Sequence, residues 1–236
     1  MRNNVVFNGK PLSEFGVFVS GSGVFNAPER DVNIVEMDGR NGALVLDKGR
    51  YKNIELSYPA FIYQNFKDRV QGLRNYLNTQ IGYVRLEDSY NPDEYRLARI
   101  SSKFQAKPIE ELTGGNFELT FDCYPQRFLK SGEQPITFTA NGTIVNNELT
   151  TAKPLIRAYG TGSFSIGGVA IQITTANSYT DIDCDLQECY KDTLATNCNA
   201  NVVLTNNKFP ELVTGNNAVT LSGITKLIIT PRWWIL

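Results

Sequence analysis

The sequence predicts a mainly β protein in two domains, with one α-helix in the first. Three observations carry this expectation. Short runs of alternating apolar and polar residues recur along the chain, a helical spacing of apolar residues appears in one place, and a proline-containing break falls near the middle. Alternation is the period of a half-buried strand, and recurrence at three and four residues is the period of an amphipathic helix. With 236 residues, 42% of them hydrophobic and 20% charged, the chain is long enough for two ordinary cores.

The elements follow in order. Val17 and Val19 alternate with Phe18 and Ser20. Asn33–Met37 and Ala43–Leu46 are apolar-biased runs flanking Asp38, Gly39, Arg40, Asn41 and Gly42, a turn-forming loop, and predict a hairpin. A second turn is expected at Asp47–Arg50, leading into a strand carrying Ile54, Leu56 and Tyr58. An isolated projecting hairpin is marginally stable, so a neighbouring chain's sheet is the expected partner for its open edge. The loop residues with Leu44 and Leu46 are the candidate contacts. A helix is expected over Tyr63–Thr79, where Ile62, Phe66, Val70, Leu73 and Leu77 form one stripe. Phe117, Leu119, Phe121 and Cys123 then alternate with Glu118, Thr120 and Asp122.

Residues 124–135 contain two prolines, a glycine and mixed charge, so the domains are expected at 1–130 and 131–236. In the second, Gly167-Gly168 separates two alternating runs, the signature of a two-residue hairpin that pairs Ile166 with Val169 and Phe164 with Ile171. Ile182, Cys184 and Leu186 alternate with Asp181, Asp183 and Asp185. That reading gives one strand with three carboxylates on a solvated face. Ala218–Leu236 supplies two further strand-like runs. Many short strands with turns between them predict a two-sheet sandwich.

Composition argues against several function classes. The net charge is −1 without a basic run, which does not suit a phosphate-neutralising surface. No apolar stretch reaches the roughly 20 residues of a membrane span. The segment MRNNVVFNGKPLSEF lacks an apolar core, so no signal peptide is expected and folding in a cytosol is. The chain has no histidine, which removes the commonest general base and the commonest transition-metal ligand. Cys123, Cys184, Cys189 and Cys198 lack paired zinc-ligand spacing and read as reduced, small hydrophobes. No nucleophile frame or nucleotide-binding glycine pattern is present. No cofactor, metal or catalytic residue is therefore expected. Tyr179, Tyr190, Trp233 and Trp234 suit either sugar stacking or packing, and packing is the expectation, the two tryptophans covering both surfaces of one strand.

Several segments together resemble the distal tail (Dit) proteins of long-tailed siphophages. Asp38-Gly39-Arg40-Asn41-Gly42 is similar to a DGRxG-like turn of that family's N-terminal domain. Phe121, Cys123 and Pro125 match its Phe-x-Cys-x-Pro ending. Ile182-Asp183 with Tyr190 matches its Ile-Asp…Tyr pattern. Phe209-Pro210-Glu211-Leu212, Gly215-Asn216-Asn217 and Gly223 resemble its FPxL…GxN…G segment. The likeness spans nearly the whole chain and corresponds to the short form, without an inserted sugar-binding module. It implies an N-terminal tail-tube-like domain closing into a homo-hexameric ring, followed by a galectin-like β-sandwich. Such a ring joins the tail tube protein to a tail-associated hub or fibre protein, with a receptor-binding protein as a further partner, and lets DNA pass without specific binding. The implied location is the virion tail tip, after assembly in the host bacterial cytoplasm. Phe209 is expected to anchor its loop in a core, with a positive φ at Gly215 or Asn216. The alternatives are a carbohydrate-binding adhesion module built on the second domain and a small hydrolase using a carboxylate pair.

Overall fold

The computed structural model describes residues 3–21, 26–101, 106–108, 113–175 and 178–236. The chain divides into two compact units, Met1–Arg127 with Leu236, and Phe128–Ile235.

The first unit contains β1 (Val5–Phe7), β2 (Lys10–Pro11), β3 (Val17–Val19), β4 (Arg30–Val35), β5 (Leu44–Tyr51) and β6 (Ile54–Ile62). Helix α1 (Phe66–Thr79) follows, then β7 (Val84–Asp88), β8 (Glu94–Ile100), β9 (Ala106–Pro108) and β10 (Gly115–Cys123). The main sheet runs β2-β1-β7-β8-β10-β6-β3, with β9 beside β10. In β6, Ile54, Leu56, Tyr58, Ala60 and Ile62 are buried and their alternates are not. β10 pairs antiparallel along all nine residues of β6 and buries Phe117, Leu119, Phe121 and Cys123. The alternation predicted both strands because one face of this sheet meets a core and the other does not.

Helix α1 buries Phe66, Val70, Leu73 and Leu77, which cover that core. Each such side chain contributes roughly 1.5–3 kcal/mol on leaving water. The helix begins later than its apolar spacing suggests. Ile62 belongs to β6, paired with Gly115 and Val17, and Asn65 turns the chain through a left-handed φ of 51°. A residue that ends a strand facing the core keeps step with the helix stripe by sharing that core.

The boundary falls within β11 (Arg127–Leu129), and the second unit contains β12 (Ile136–Phe138), β13 (Gly142–Asn146), β14 (Leu155–Tyr159), β15 (Gly162–Ile166) and β16 (Val169–Ile173). It continues through β17 (Tyr179–Asp183), β18 (Glu188–Lys191), β19 (Thr193–Asn197), β20 (Val202–Leu204), β21 (Gly215–Ser222), β22 (Lys226–Thr230) and β23 (Trp234–Ile235). One sheet runs β12-β22-β14-β17-β18-β19 and the other β13-β21-β15-β16-β20. Ile144, Phe164, Ile166, Ile171, Ile173 and Val219 of the second meet Ile156, Ala158, Ile182, Cys189, Leu227 and Ile229 of the first in one core. The β15–β16 hairpin has the register read from its glycines, Ile166 opposite Val169 and Phe164 opposite Ile171. Gly167 and Gly168 both take positive φ, 55° and 83°, as a type I′ turn requires. Val169 is only half-buried, because it borders the turn.

Candidate assembly interface

β4 and β5 form a two-stranded sheet of their own. Ile34 lies opposite Val45, Val35 opposite Leu44 and Asn33 opposite Leu46. Opposed residues share a face, so one face of this ribbon carries Ile34 and Val45 and the other Val35, Leu44 and Leu46. Ile34 and Val45 are 67% and 58% exposed, and Leu46 and Met37 are 49% and 50% exposed. Apolar side chains thus stand in water on both faces. Asp38, Gly39, Arg40, Asn41 and Gly42 form the exposed tip, with positive φ at Gly39 and Gly42. The structure brings these five residues together with Leu44 and Leu46 on one projecting element.

The turn expected at Asp47–Arg50 does not form, for β5 continues to Tyr51. The turn-forming residues make a bulge instead. Pairing shifts between Arg30 and Val32, Gly49 takes φ 71°, and its N–H donates to Asp47 Oδ1 at 2.8 Å. Asp31 alone lies opposite Lys48, Gly49 and Arg50, and two extra residues in one strand satisfy the same local preferences as a turn while the ladder runs on. Charge reinforces the bulge. Arg30 Nε donates to Asp47 at 2.6 Å. The buried Asp31 receives Lys48 Nζ at 3.0 Å and Arg50 Nε at 2.8 Å. Those two cations hold the Asp31 carboxyl below the ordinary aspartate range.

In the second unit, the solvated acidic face expected of Asp181, Asp183 and Asp185 is corrected. Asp181 and Asp183 do point away from the sandwich core, yet each is 2% exposed. Arg157 from β14 donates Nε and Nη2 to Asp181 at 2.6 and 2.9 Å. Arg232 donates both terminal nitrogens to Asp183 at 2.8 Å. Asp183 also accepts the Asp185 and Leu186 amides. Burial would raise its proton affinity, but Arg232 and those amides outweigh burial and hold the carboxyl below its usual range. β17 ends at Asp183, so Cys184–Gln187 is a turn, which leaves Asp185 and Leu186 exposed. The alternation stops two residues earlier than the sequence pattern.

Aromatic rings complete this outer surface. The Tyr159 and Tyr179 rings lie 5.4 Å apart, with Arg157 4.3 Å from the Tyr179 centroid and Lys226 4.0 Å from that of Tyr159. Cations of the chain itself already occupy ring faces that a sugar would stack on. Tyr190 is half-buried, opposite Asp181 in the ladder. Trp233 and Trp234 do not flank a strand on two sides. Only Trp234 lies in β23, and both pack against the same core.

The remaining motif residues are placed as follows. Phe121 is buried with its ring 5.0 Å from Phe7 and 6.0 Å from Tyr58. Cys123 is buried beside it and Pro125 is half-buried. Ile182 lies in the sandwich core. Phe209, expected as a core anchor, is half-buried against that core, whereas Pro210 and Leu212 are buried. Leu212 and Ala152 exchange two backbone hydrogen bonds of 2.8 and 3.0 Å. Gly215 takes the expected positive φ, 89°, while Asn216 is exposed in β21 without one. Gly223 also needs its φ of 83°, and a side chain on its neighbour Gly162 would come within 2.4 Å of Ser222 O.

Two asparagines hold this loop, Asn217 of the motif segment and Asn146, which the sequence did not single out. Asn217, 1% exposed, accepts the Val213 amide and donates to Val213 O at 2.8 Å and Gly215 O at 3.1 Å. Asn146, also 1% exposed, donates to Thr150 O and Leu212 O, both at 2.9 Å. Strand parity is the signal that separates Asn217 from Asn216: it lies in step with the buried Val219.

All four cysteines are free and buried. Burial pushes the Cys123 and Cys189 thiols up to about 12 and raises Cys184 as well. Such thiols are protonated at neutral pH and poor nucleophiles. No group of three or more potential metal-ligating side chains occurs among the described residues, nor any helix there long and apolar enough to cross a membrane.

No family profile matches the chain, and no curated protein matches it. Solved structures do. The Dit protein of phage SPP1, described as a paradigm of the hub adsorption apparatus in phages infecting Gram-positive bacteria, superposes with a TM-score of 0.76 over 100% of both chains at 15% identity. The chain has the fold of that protein. Structures of the phage p2 baseplate in its activated conformation, with strontium and with calcium, match at TM-scores of 0.55 over 97% of both chains and 10% identity.

Proposed function

We propose that the protein is a structural, non-enzymatic subunit of a phage tail tip, a distal tail protein whose copies close into a ring. The observation that carries this reading is the likeness to the SPP1 Dit protein along the entire length of both chains. The ring joins the tail tube to a tail-associated hub or fibre protein, passes DNA through its lumen and assembles in the host cytoplasm. Six copies form it, and the second unit, a galectin-like sandwich, offers the surface to which a receptor-binding protein attaches.

The β4–β5 ribbon is the ring's fastener. Among the described strands nothing pairs with either of its edges, it has apolar side chains on both faces, and a two-stranded ribbon gains little stability alone. A ring needs a heterologous contact, in which one surface of a copy meets a different surface of the next. A projecting ribbon supplies one half of such a contact. Asp38, Gly39, Arg40, Asn41, Gly42, Leu44 and Leu46 are the residues assigned to it. Negative-stain images of the purified protein should show six-fold rings, with a light-scattering mass six times that of the chain. A monomer at micromolar concentration would overturn intrinsic ring formation.

A further inference from the structure

The ribbon joins the first unit's main sheet through a short link, Lys52 and Asn53, between the end of β5 and the start of β6. Its two strands pair with each other and with no other described strand. Of the ribbon's two connections to the body this one is described throughout, and the Lys52 amide ties it to the other at Glu29 O, 2.8 Å away, so a group here can set the direction in which the ribbon leaves. Asn53 is exposed, yet its side-chain amide is fixed from two sides. Nδ2 donates to Tyr83 Oη at 2.7 Å and to Asp122 Oδ1 at 3.0 Å. Tyr83 Oη donates onward to Asp122 Oδ2 at 2.6 Å, and Arg99 Nε reaches the same oxygen at 2.8 Å.

These partners belong to the first unit's main sheet and its border. Asp122 lies in β10 with Glu55 of β6 on one side and Arg99 of β8 on the other. Tyr83 directly precedes β7, and its ring lies 4.3 Å from that of Tyr124. Partial burial would raise the proton affinity of Asp122, but the bonds from Tyr83, Asn53 and Arg99 prevail and keep it ionised at neutral pH. Charge-assisted hydrogen bonds of this kind are shorter and roughly twice as strong as neutral ones. Other groups nearby serve folding: Ser57 and Thr120 hydrogen-bond each other in the adjacent row.

We propose that Asn53 is a positioning residue that, through Asp122 and Tyr83, fixes the direction of the ribbon relative to the sheet. The consequence for assembly, that a neighbouring copy meets the ribbon in one pose, rests on the ring reading. The direction of the ribbon itself does not.

The test reads that direction in a dilute, dissociated sample. Nitroxide labels are attached at Arg40→Cys in the tip and Lys67→Cys on α1, the native thiols being buried and unreactive. Pulsed electron–electron resonance then gives one narrow distance distribution for the wild-type background. Asn53→Ala and Asp122→Asn should each at least double its width, while melting moves by less than about 5 °C, as for loss of a surface hydrogen bond. A control pair at Lys67→Cys and Asp93→Cys should stay narrow. An unchanged tip distribution in both variants overturns the proposal, and so does equal broadening of the control pair. Light scattering on unlabelled Asn53→Ala and Asp122→Asn with native Arg40, at assembly concentration, judges the ring reading separately: a loose ribbon in an intact ring would leave Asn53 its role and remove the ribbon's role as fastener.

Discussion

The ribbon of the first unit and the outer face of the six-stranded sheet in the second treat similar ingredients in opposite ways. Both carry acidic residues, arginines and tyrosines on strands that point away from a core. On the sheet, Asp181 and Asp183 each receive a two-pronged arginine, and the neighbouring Tyr179 and Tyr159 rings carry Arg157 and Lys226 on their faces. On the ribbon, the ion pairs among the described residues lie near the root, and beyond it Ile34, Val45 and Leu46 stand in water. The sheet face satisfies its own polar groups, whereas the ribbon leaves apolar area over. The difference shows where the chain finishes its interactions by itself and where it leaves them for another molecule.

The contrast can be broken most forcefully by removing the ribbon. Replacing residues 38–47 with a short Gly-Ser linker should reduce the light-scattering mass from a ring to a single chain, with melting of the remainder little changed. A folded variant that keeps the wild-type mass would dismiss the ribbon as fastener. A smaller but large effect is expected beneath the motif loop. Leu212→Ala should destabilise the second unit by about 2–5 kcal/mol, as cavity-forming changes do, and the half-buried Phe209→Ala by only about 1–2 kcal/mol. Chemical denaturation followed by tryptophan fluorescence ranks the two, and the reverse order would return the anchor to Phe209.

The buried pairs come next. Arg232→Met leaves Asp183 without its cation, for a loss of about 2–3 kcal/mol, near the low end for a buried pair because Arg232 is itself 31% exposed. The same carboxylate predicts a pH response. Its folded pKa lies below its unfolded value, so its stabilisation is complete above the ordinary aspartate range near 4 and fades as pH falls through the lower folded value. Wild-type melting should therefore drop more steeply below pH 4 than that of Arg232→Met, and parallel curves would refute the linkage. The smallest effect concerns thiols: native protein should react with a disulfide reagent at pH 8 far more slowly than unfolded protein, since Cys123, Cys184 and Cys189 are protonated and enclosed.

Much of the architecture was legible because it rests on local periods. The strands β6 and β10, the helix stripe Phe66–Leu77 and the Gly167-Gly168 hairpin each carry their pattern within a dozen residues. The misreadings share a different cause. Asp47–Arg50 has a turn's composition, and composition does not separate a turn from a bulge. Asp181 and Asp183 sit on the outer side as their alternation says, but their burial depends on Arg157 and Arg232, the latter 49 residues from its partner. The segment Gly215-Asn216-Asn217 offered two asparagines, and strand parity with Val219 gives the buried role to Asn217. Local rules reveal which way a side chain points; long-range partners decide what it meets there.

The short link behind the ribbon has a mechanical consequence. Eight residues of β5 at roughly 3.3 Å each put the tip about 26 Å from its pivot, so a swing of only ~10° carries it ~4.5 Å, about one inter-strand spacing. An arm of that length converts a small angular error at its base into a shift of one full lane at its end. Tolerance at the hinge, more than stickiness at the tip, then governs which edge the ribbon can reach.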